Sequence, residues 1–224
     1  MATSTLEQSV ELTETRDPRQ ACVLLLDTSG SMQGERIAEL NAGLQTFKDE
    51  LLQDQLAVHR VDLAIISFDS TVNVVKDFGG TVESFEPPTL TAQNQTFMGK
   101  AILEALNKIE ERRAQYRVYG LPHYRPWLFI ITDGLPEGEP NEVVEEAKSK
   151  LHAAVNGKKV AVFAVGVGDV NLSRLKDIAG TEPLRLKGTK FRELFQWLSA
   201  SMSKVSQSKP GDVVNLPPPN WATI

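Results

Sequence analysis

Two short stretches and one threonine hold the oxygen chemistry of this chain. Asp27-Thr28-Ser29-Gly30-Ser31 places an acid and two alternate hydroxyls within a single turn. Thr96 stands just before a helical pattern, and Asp133-Gly134 closes an apolar run. Carboxylate and hydroxyl oxygens are hard donors, suited to magnesium, calcium or manganese rather than to zinc or copper. Gly30 allows a sharp bend because it carries no Cβ to clash. Alone, D-x-S-x-S reads equally well as a Ser/Asp-rich turn that caps the next helix. The surrounding elements have to separate the two readings.

Other chemistry is thinner. His59, His123 and His152 are scattered without ligand spacing, which disfavours zinc. Cys22 opens the first apolar run and reads as a small core residue, with no second cysteine to pair with. Gly166-Val167-Gly168 lacks the third glycine of a dinucleotide loop and reads as a strand-end turn. Asp69-Ser70 reads as a hairpin turn rather than a ligand. The acidic run from Glu137 to Glu146 reads as a solvated helix start. Around 112–125, Tyr116, Tyr119, His123 and Tyr124 gather among basic residues. Aromatic side chains mark interfaces, so partner contact and plain solvated loop both stay open there.

The elements that must position the oxygens follow from hydrophobic period. Residues 21–26 form an apolar strand that runs straight into Asp27. Ile37, Leu40, Leu44, Phe47 and Leu51 then recur at helical spacing. The stretch 58–68 is long and β-branched, and its second half reads as a central strand. After the Asp69-Ser70 turn, 71–78 alternates as an antiparallel edge strand, and 79–95 is a polar connection with Pro87 and Pro88. A helix is predicted over 99–116, a loop over 117–125 and a buried strand over 127–132 that ends at Asp133. Helix 141–155, strand 160–165, helix 172–179, a small strand at 184–186 and a last amphipathic helix through Phe191, Leu194, Phe195, Leu198 and Met202 complete the pattern. There is no internal repeat.

Strand and helix thus alternate almost throughout. The expectation is an α/β fold: a doubly wound, mostly parallel sheet with one antiparallel edge strand and helices on both faces. Residues 1–19 are expected as an N-terminal tail, 20–205 as the folded domain, and 206–224 as a Pro-rich C-terminal tail whose Trp221 lies outside the core. With parallel strands side by side, the Asp27 and Asp133 loops emerge at one sheet edge, and Thr96 can reach it. Asp27, Ser29, Ser31, Thr96 and Asp133 would then converge, enough oxygen for a divalent cation with waters completing its shell.

Composition limits the function classes. At 224 residues the chain suits one domain with tails. A net charge of −5 argues against a general nucleic-acid binder. No apolar run reaches the roughly 18 residues of a membrane span. The first twenty residues lack the apolar centre of a signal peptide, so a soluble cytoplasmic protein is expected.

Asp27-Thr28-Ser29-Gly30-Ser31-Met32, the Thr96-x-x-Gly99 segment and Thr132-Asp133-Gly134 resemble the three parts of the metal-ion-dependent adhesion site of von Willebrand factor type A domains, in the family's order. Within that family the chain is similar to the stand-alone bacterial tellurium-resistance (TerY-like) proteins. Tyr124-Arg125-Pro126-Trp127, Ile66-Ser67-Phe68-Asp69 and the Pro-rich 216–221 segment carry that narrower likeness. One departure is Asn94-Gln95-Thr96, where relatives usually place glycine before the threonine.

The resemblance implies direct ligation through the Ser29, Ser31 and Thr96 hydroxyls, with Asp27 and Asp133 acting through waters or hydrogen bonds. The implied ion is Mg2+, with Mn2+ or Ca2+ as alternatives. It implies a protein partner donating an acidic side chain to the ion, in a stress-response assembly beside kinase or phosphatase partners. It also implies a final helix that shifts when the site is engaged. The competing class is a metal-dependent phosphohydrolase with Asp27 as nucleophile. That chemistry wants a second aspartate two residues on, where this chain has Ser29, and no G-x-x-x-x-G-K-[ST] phosphate loop is present. A third reading is an adaptor on the same fold that uses no metal.

Overall fold

The computed structural model describes residues 16–223, so most of the expected N-terminal tail lies outside the described residues. Strand β1 (Gln20–Asp27) is buried along its whole length and lies in the interior of the sheet. Its side chains alternate between two cores, as the strand period of two requires. Cys22, Leu24 and Leu26 face one core, and Ala21, Val23 and Leu25 face the other.

Helices α1 (Glu35–Leu51) and α2 (Gln55–Arg60) follow β1, then β2 (Val61–Phe68) and β3 (Val72–Lys76). Next come α3 (Met98–Val118), β4 (Trp127–Thr132), α4 (Asn141–Asn156), β5 (Ala161–Gly166) and α5 (Leu172–Ala179). The described chain ends with β6 (Leu184–Leu186), α6 (Phe191–Ser206) and β7 (Ala222–Thr223). The seven strands lie in the order β3-β2-β1-β4-β5-β6-β7. β1 pairs in parallel with β2 on one side and with β4 on the other. The chain therefore reverses its direction of winding at β1, and the loops after β1 and β4 flank that switch point, where open α/β sheets place their sites.

Residues of α1 and α6 share the first core, and residues of α3, α4 and α5 share the second. The α1–α6 contact is close at Gly43, where an added Cβ would fall 2.6 Å from the Phe195 ring. The fold is the expected doubly wound, mostly parallel α/β sheet, with β3 antiparallel at one edge. A second antiparallel edge strand, β7 on β6, was not expected.

Residues 58–60, for which no element was expected, are helical, because the Asp54 side chain caps α2 by accepting from Leu56 N at 2.9 Å and Ala57 N at 3.1 Å. Two further expectations are corrected. The ring-rich stretch 112–125 is largely structural. Arg112 and Tyr116 are buried inside α3 and both donate to the buried Asp62 carboxylate, while the Tyr124 hydroxyl donates to Ser208 O at 2.6 Å. Only Tyr119 among those tyrosines is substantially exposed. Finally, the C-terminal stretch joins the core through Trp221 and Ala222, with Leu216 packed against it. Trp221 is 1% exposed, its ring meets Trp197 edge-on at 5.6 Å, and its carbonyl accepts from Lys187 N at 2.9 Å. A prolyl carbonyl helps to hold the strap, since Trp197 Nε1 donates to Pro217 O at 2.8 Å.

Trp221 therefore anchors the C-terminal strap across α6. Trp221→Ala should lower unfolding stability by about 3–5 kcal/mol, and Trp221→Phe by less, measured by urea denaturation. A tail outside the core would give no change.

Candidate metal centre

β1 delivers Asp27 to the loop end of the sheet with its side chain fully buried. A buried carboxylate must be hydrogen-bonded, and this one is. Its Oδ1 accepts from Ser29 N at 2.8 Å and its Oδ2 accepts from the Thr132 hydroxyl at 2.5 Å. Thr132 sits at the end of β4, next to β1, so strand pairing brings the donor alongside. Burial pushes the Asp27 carboxyl above its ordinary range; the Ser29 and Thr132 hydrogen bonds pull it back, and the nearby Asp133 charge adds to the rise.

Above this buried charge the turn presents its hydroxyls. Ser29 Oγ lies 3.1 Å from Ser31 Oγ, and Ser31 Oγ donates to Asp133 Oδ1 at 2.6 Å. Arg36, from the first turn of α1, donates to Asp133 Oδ2 and to Ser31 O, the latter at 3.2 Å. Thr96 is 4% exposed and arrives from another direction. Its backbone exchanges both hydrogen bonds with Glu137, at 3.3 and 3.0 Å, tying its loop to the one after Asp133. Its hydroxyl lies against Gly134, where an added Cβ would sit 3.7 Å from Thr96 Oγ1.

The three loops are fixed by backbone bonds rather than by chance packing. Gly30 N donates to Asn94 O at 3.0 Å, and Gln93 N donates to Thr28 O at 2.8 Å. Asn94 adopts a left-handed φ of 62°, a conformation glycine takes freely and asparagine tolerates better than most residues. Asp69 is the expected turn residue: its Oδ1 accepts from Thr71 N and Thr71 Oγ1, and its carbonyl accepts from Phe97 N at 2.8 Å. Glu139 caps α3 from outside, accepting from Gly99 N at 2.7 Å and Lys100 N at 3.1 Å.

The structure thus places Asp27, Ser29, Ser31 and Asp133 in one hydrogen-bonded cluster, with Thr96 packed beside it. The donor set fits a hard divalent cation: three hydroxyls backed by two carboxylates. Among the described residues no group of three or more His, Cys, Asp or Glu could hold a metal, so any such site depends on the hydroxyls. Sequence reasoning missed Arg36, the bridging role of Thr132 and the cap by Glu139. Thr132 could have been found from its place beside Asp133 at the strand end. For Arg36 and Glu139 no local pattern exists.

The family model of the von Willebrand factor type A domain matches residues 22–196. The chain belongs to the von Willebrand factor type A domain family. Among curated proteins none matches this chain. Solved structures share the fold at low identity. Proximal thread matrix protein 1 from the mussel byssus, crystal form 2, is 15% identical with a TM-score of 0.55, over 84% of this chain and 48% of that one. The same protein with a zinc-occupied MIDAS motif is 16% identical with a TM-score of 0.54, again over 84% and 48%. A mutant of the PilB minor pilin from Streptococcus sanguinis is 12% identical with a TM-score of 0.56, over 85% of this chain and 62% of that one. This type A domain chain therefore spans about half of the mussel protein and under two thirds of the pilin.

Thr132 offers a direct check on the hydrogen-bond bridge. Thr132→Val keeps the shape and leaves Asp27 Oδ2 without its protein donor. It should destabilise the protein by about 1–3 kcal/mol in the presence of EDTA, read from urea midpoints. No change would mean that the bond is not made in solution.

Proposed function

We propose that this protein is a divalent-cation-dependent protein-recognition module. The observation that carries the reading is the Ser29–Ser31 hydroxyl pair, hydrogen-bonded to Asp133 above the buried Asp27 and opening at the loop end of the sheet. Ser29, Ser31 and Thr96 would hold the ion through neutral oxygens, with Asp27 and Asp133 orienting them or reaching it through water. A bound ion supplies a positive charge only partly offset by the protein, which favours a carboxylate from a partner as a further ligand. Mg2+ is the proposed ion, with Mn2+ and Ca2+ able to use the same donors.

The finer setting we propose is a cytoplasmic stress-response or signalling assembly, tellurium resistance included, with kinase or phosphatase partners. Its support is the likeness to tellurium-resistance proteins in Tyr124-Arg125-Pro126-Trp127 and the Pro-rich segment. Among the described residues no helix is long and apolar enough to cross a membrane.

A phosphohydrolase would need Asp27 as an exposed nucleophile. Here both of its oxygens accept hydrogen bonds and its side chain is fully buried, so attack has no approach line. Recognition is the better use of this geometry.

Isothermal titration of Mg2+ and Mn2+ into wild type, Ser29→Ala/Ser31→Ala and Asp27→Asn tests the site. Wild type should bind one ion, and each variant should bind it at least roughly tenfold more weakly while remaining folded. Partner capture that occurs with Mg2+ and fails with EDTA or with Asp27→Asn would follow. Wild type that binds neither ion, or variants that bind equally well, would sink the proposal.

A further inference from the structure

We propose that Arg36 is a charge-balancing residue of the same site: its guanidinium neutralises Asp133, so that a bound divalent cation keeps positive charge for an anionic ligand. The inference rests on the metal-site reading above and adds a residue that this reading does not require.

Two carboxylates back the hydroxyls. Unopposed, Asp27 and Asp133 would match the charge of a divalent ion and leave it little attraction for a further anion. Asp133 is not unopposed. Its side chain is fully buried, its Oδ1 accepts from Ser31 Oγ, and its Oδ2 accepts from Arg36 Nη1.

Arg36 is also placed rather than draped. Nη1 makes a second bond to Ser31 O at 3.2 Å, inside the turn that carries the hydroxyls. Nη2 packs over Gly168 in the loop after β5, where an added Cβ would fall 2.7 Å away. Gly168 has a left-handed φ of 61°, and Arg185 donates to Gly168 O and to Val170 O, fixing that loop. Arg36 thus touches loops from three strands. Its side chain still keeps 36% exposure, so it remains open to solvent beside the hydroxyl turn.

A fixed cation next to a bound cation repels it. An Arg that only clamps loops would do the opposite, since loosening the loops would weaken metal binding. The two roles predict opposite signs. Mn2+ alone is titrated into wild type, R36Q, R36M and R36K at low ionic strength. Two neutral variants are used so that a folding failure in one, seen in its thermal melt, leaves the test intact.

The neutral variants should bind Mn2+ roughly three- to tenfold more tightly than wild type, because a like charge is removed at close range. R36K, which keeps the charge, should stay within about twofold of wild type. Acetate, added as a surrogate carboxylate, should strengthen Mn2+ binding to wild type more than to R36Q. Equal or weaker Mn2+ binding by the neutral variants overturns the role of Arg36. Wild type that binds no Mn2+ overturns the metal-site reading itself, which keeps the two failures apart.

Discussion

The Asp27 carboxylate is a negative charge buried at the end of an interior strand, and the loop end of this protein is built to accommodate it. Such a group is tolerable only with close donors. The donors come from the two places the topology makes adjacent: the Ser29 amide in the turn that follows β1, and the Thr132 hydroxyl at the end of neighbouring β4. Asp133 follows Thr132 immediately, so the bond that satisfies the first acid also sets where the second one emerges. Sheet order, turn sequence and site geometry are therefore one problem with one solution.

Rigidity around that charge comes from main-chain pairing. The Thr96 loop is tied to the Glu137 segment by two backbone bonds, to Asp69 through Phe97, and to the Ser29 turn through Asn94 and Gly30. None of these ties uses a side-chain oxygen of Ser29, Ser31 or Thr96, whose loops are therefore held without their hydroxyls. Loops organised beforehand in this way do not need a ligand to order them. The final helix is also restrained. Trp197 and Trp221 interlock, and the strap from Pro217 to Thr223 runs back to the sheet edge. Any shift of α6, as the family resemblance implies, must carry or release that strap.

Much of this was legible from residue type and period. β1, β4 and β5 were readable because fully apolar runs between helical patterns mean parallel, doubly covered strands. Asp27 and Asp133 could be placed at the loop end of the sheet because they close two of those runs. What stayed hidden depended on contacts far apart in sequence. Arg112 and Tyr116 lay in a stretch open to either partner contact or solvent, yet they satisfy Asp62, fifty or more positions earlier. Trp221 looked stranded in a proline-rich tail, yet prolines describe a path and not its destination. Arg36 carries no signal at all, since a basic residue in a first helical turn is ordinary until Asp133 is seen beside it.

The borders of the sheet carry a consequence for how other chains can approach. β7 has two residues and β3 has five, and β3 is offset by an irregularity opposite Ile65 and Ile66. Short, broken margins are poor templates for strand addition, the route by which extended peptides and misfolded neighbours commonly graft themselves onto a protein. Both sheet faces are covered by helices. Self-association through β-pairing is thereby discouraged, and a binding partner is left with loops and helix surfaces to read.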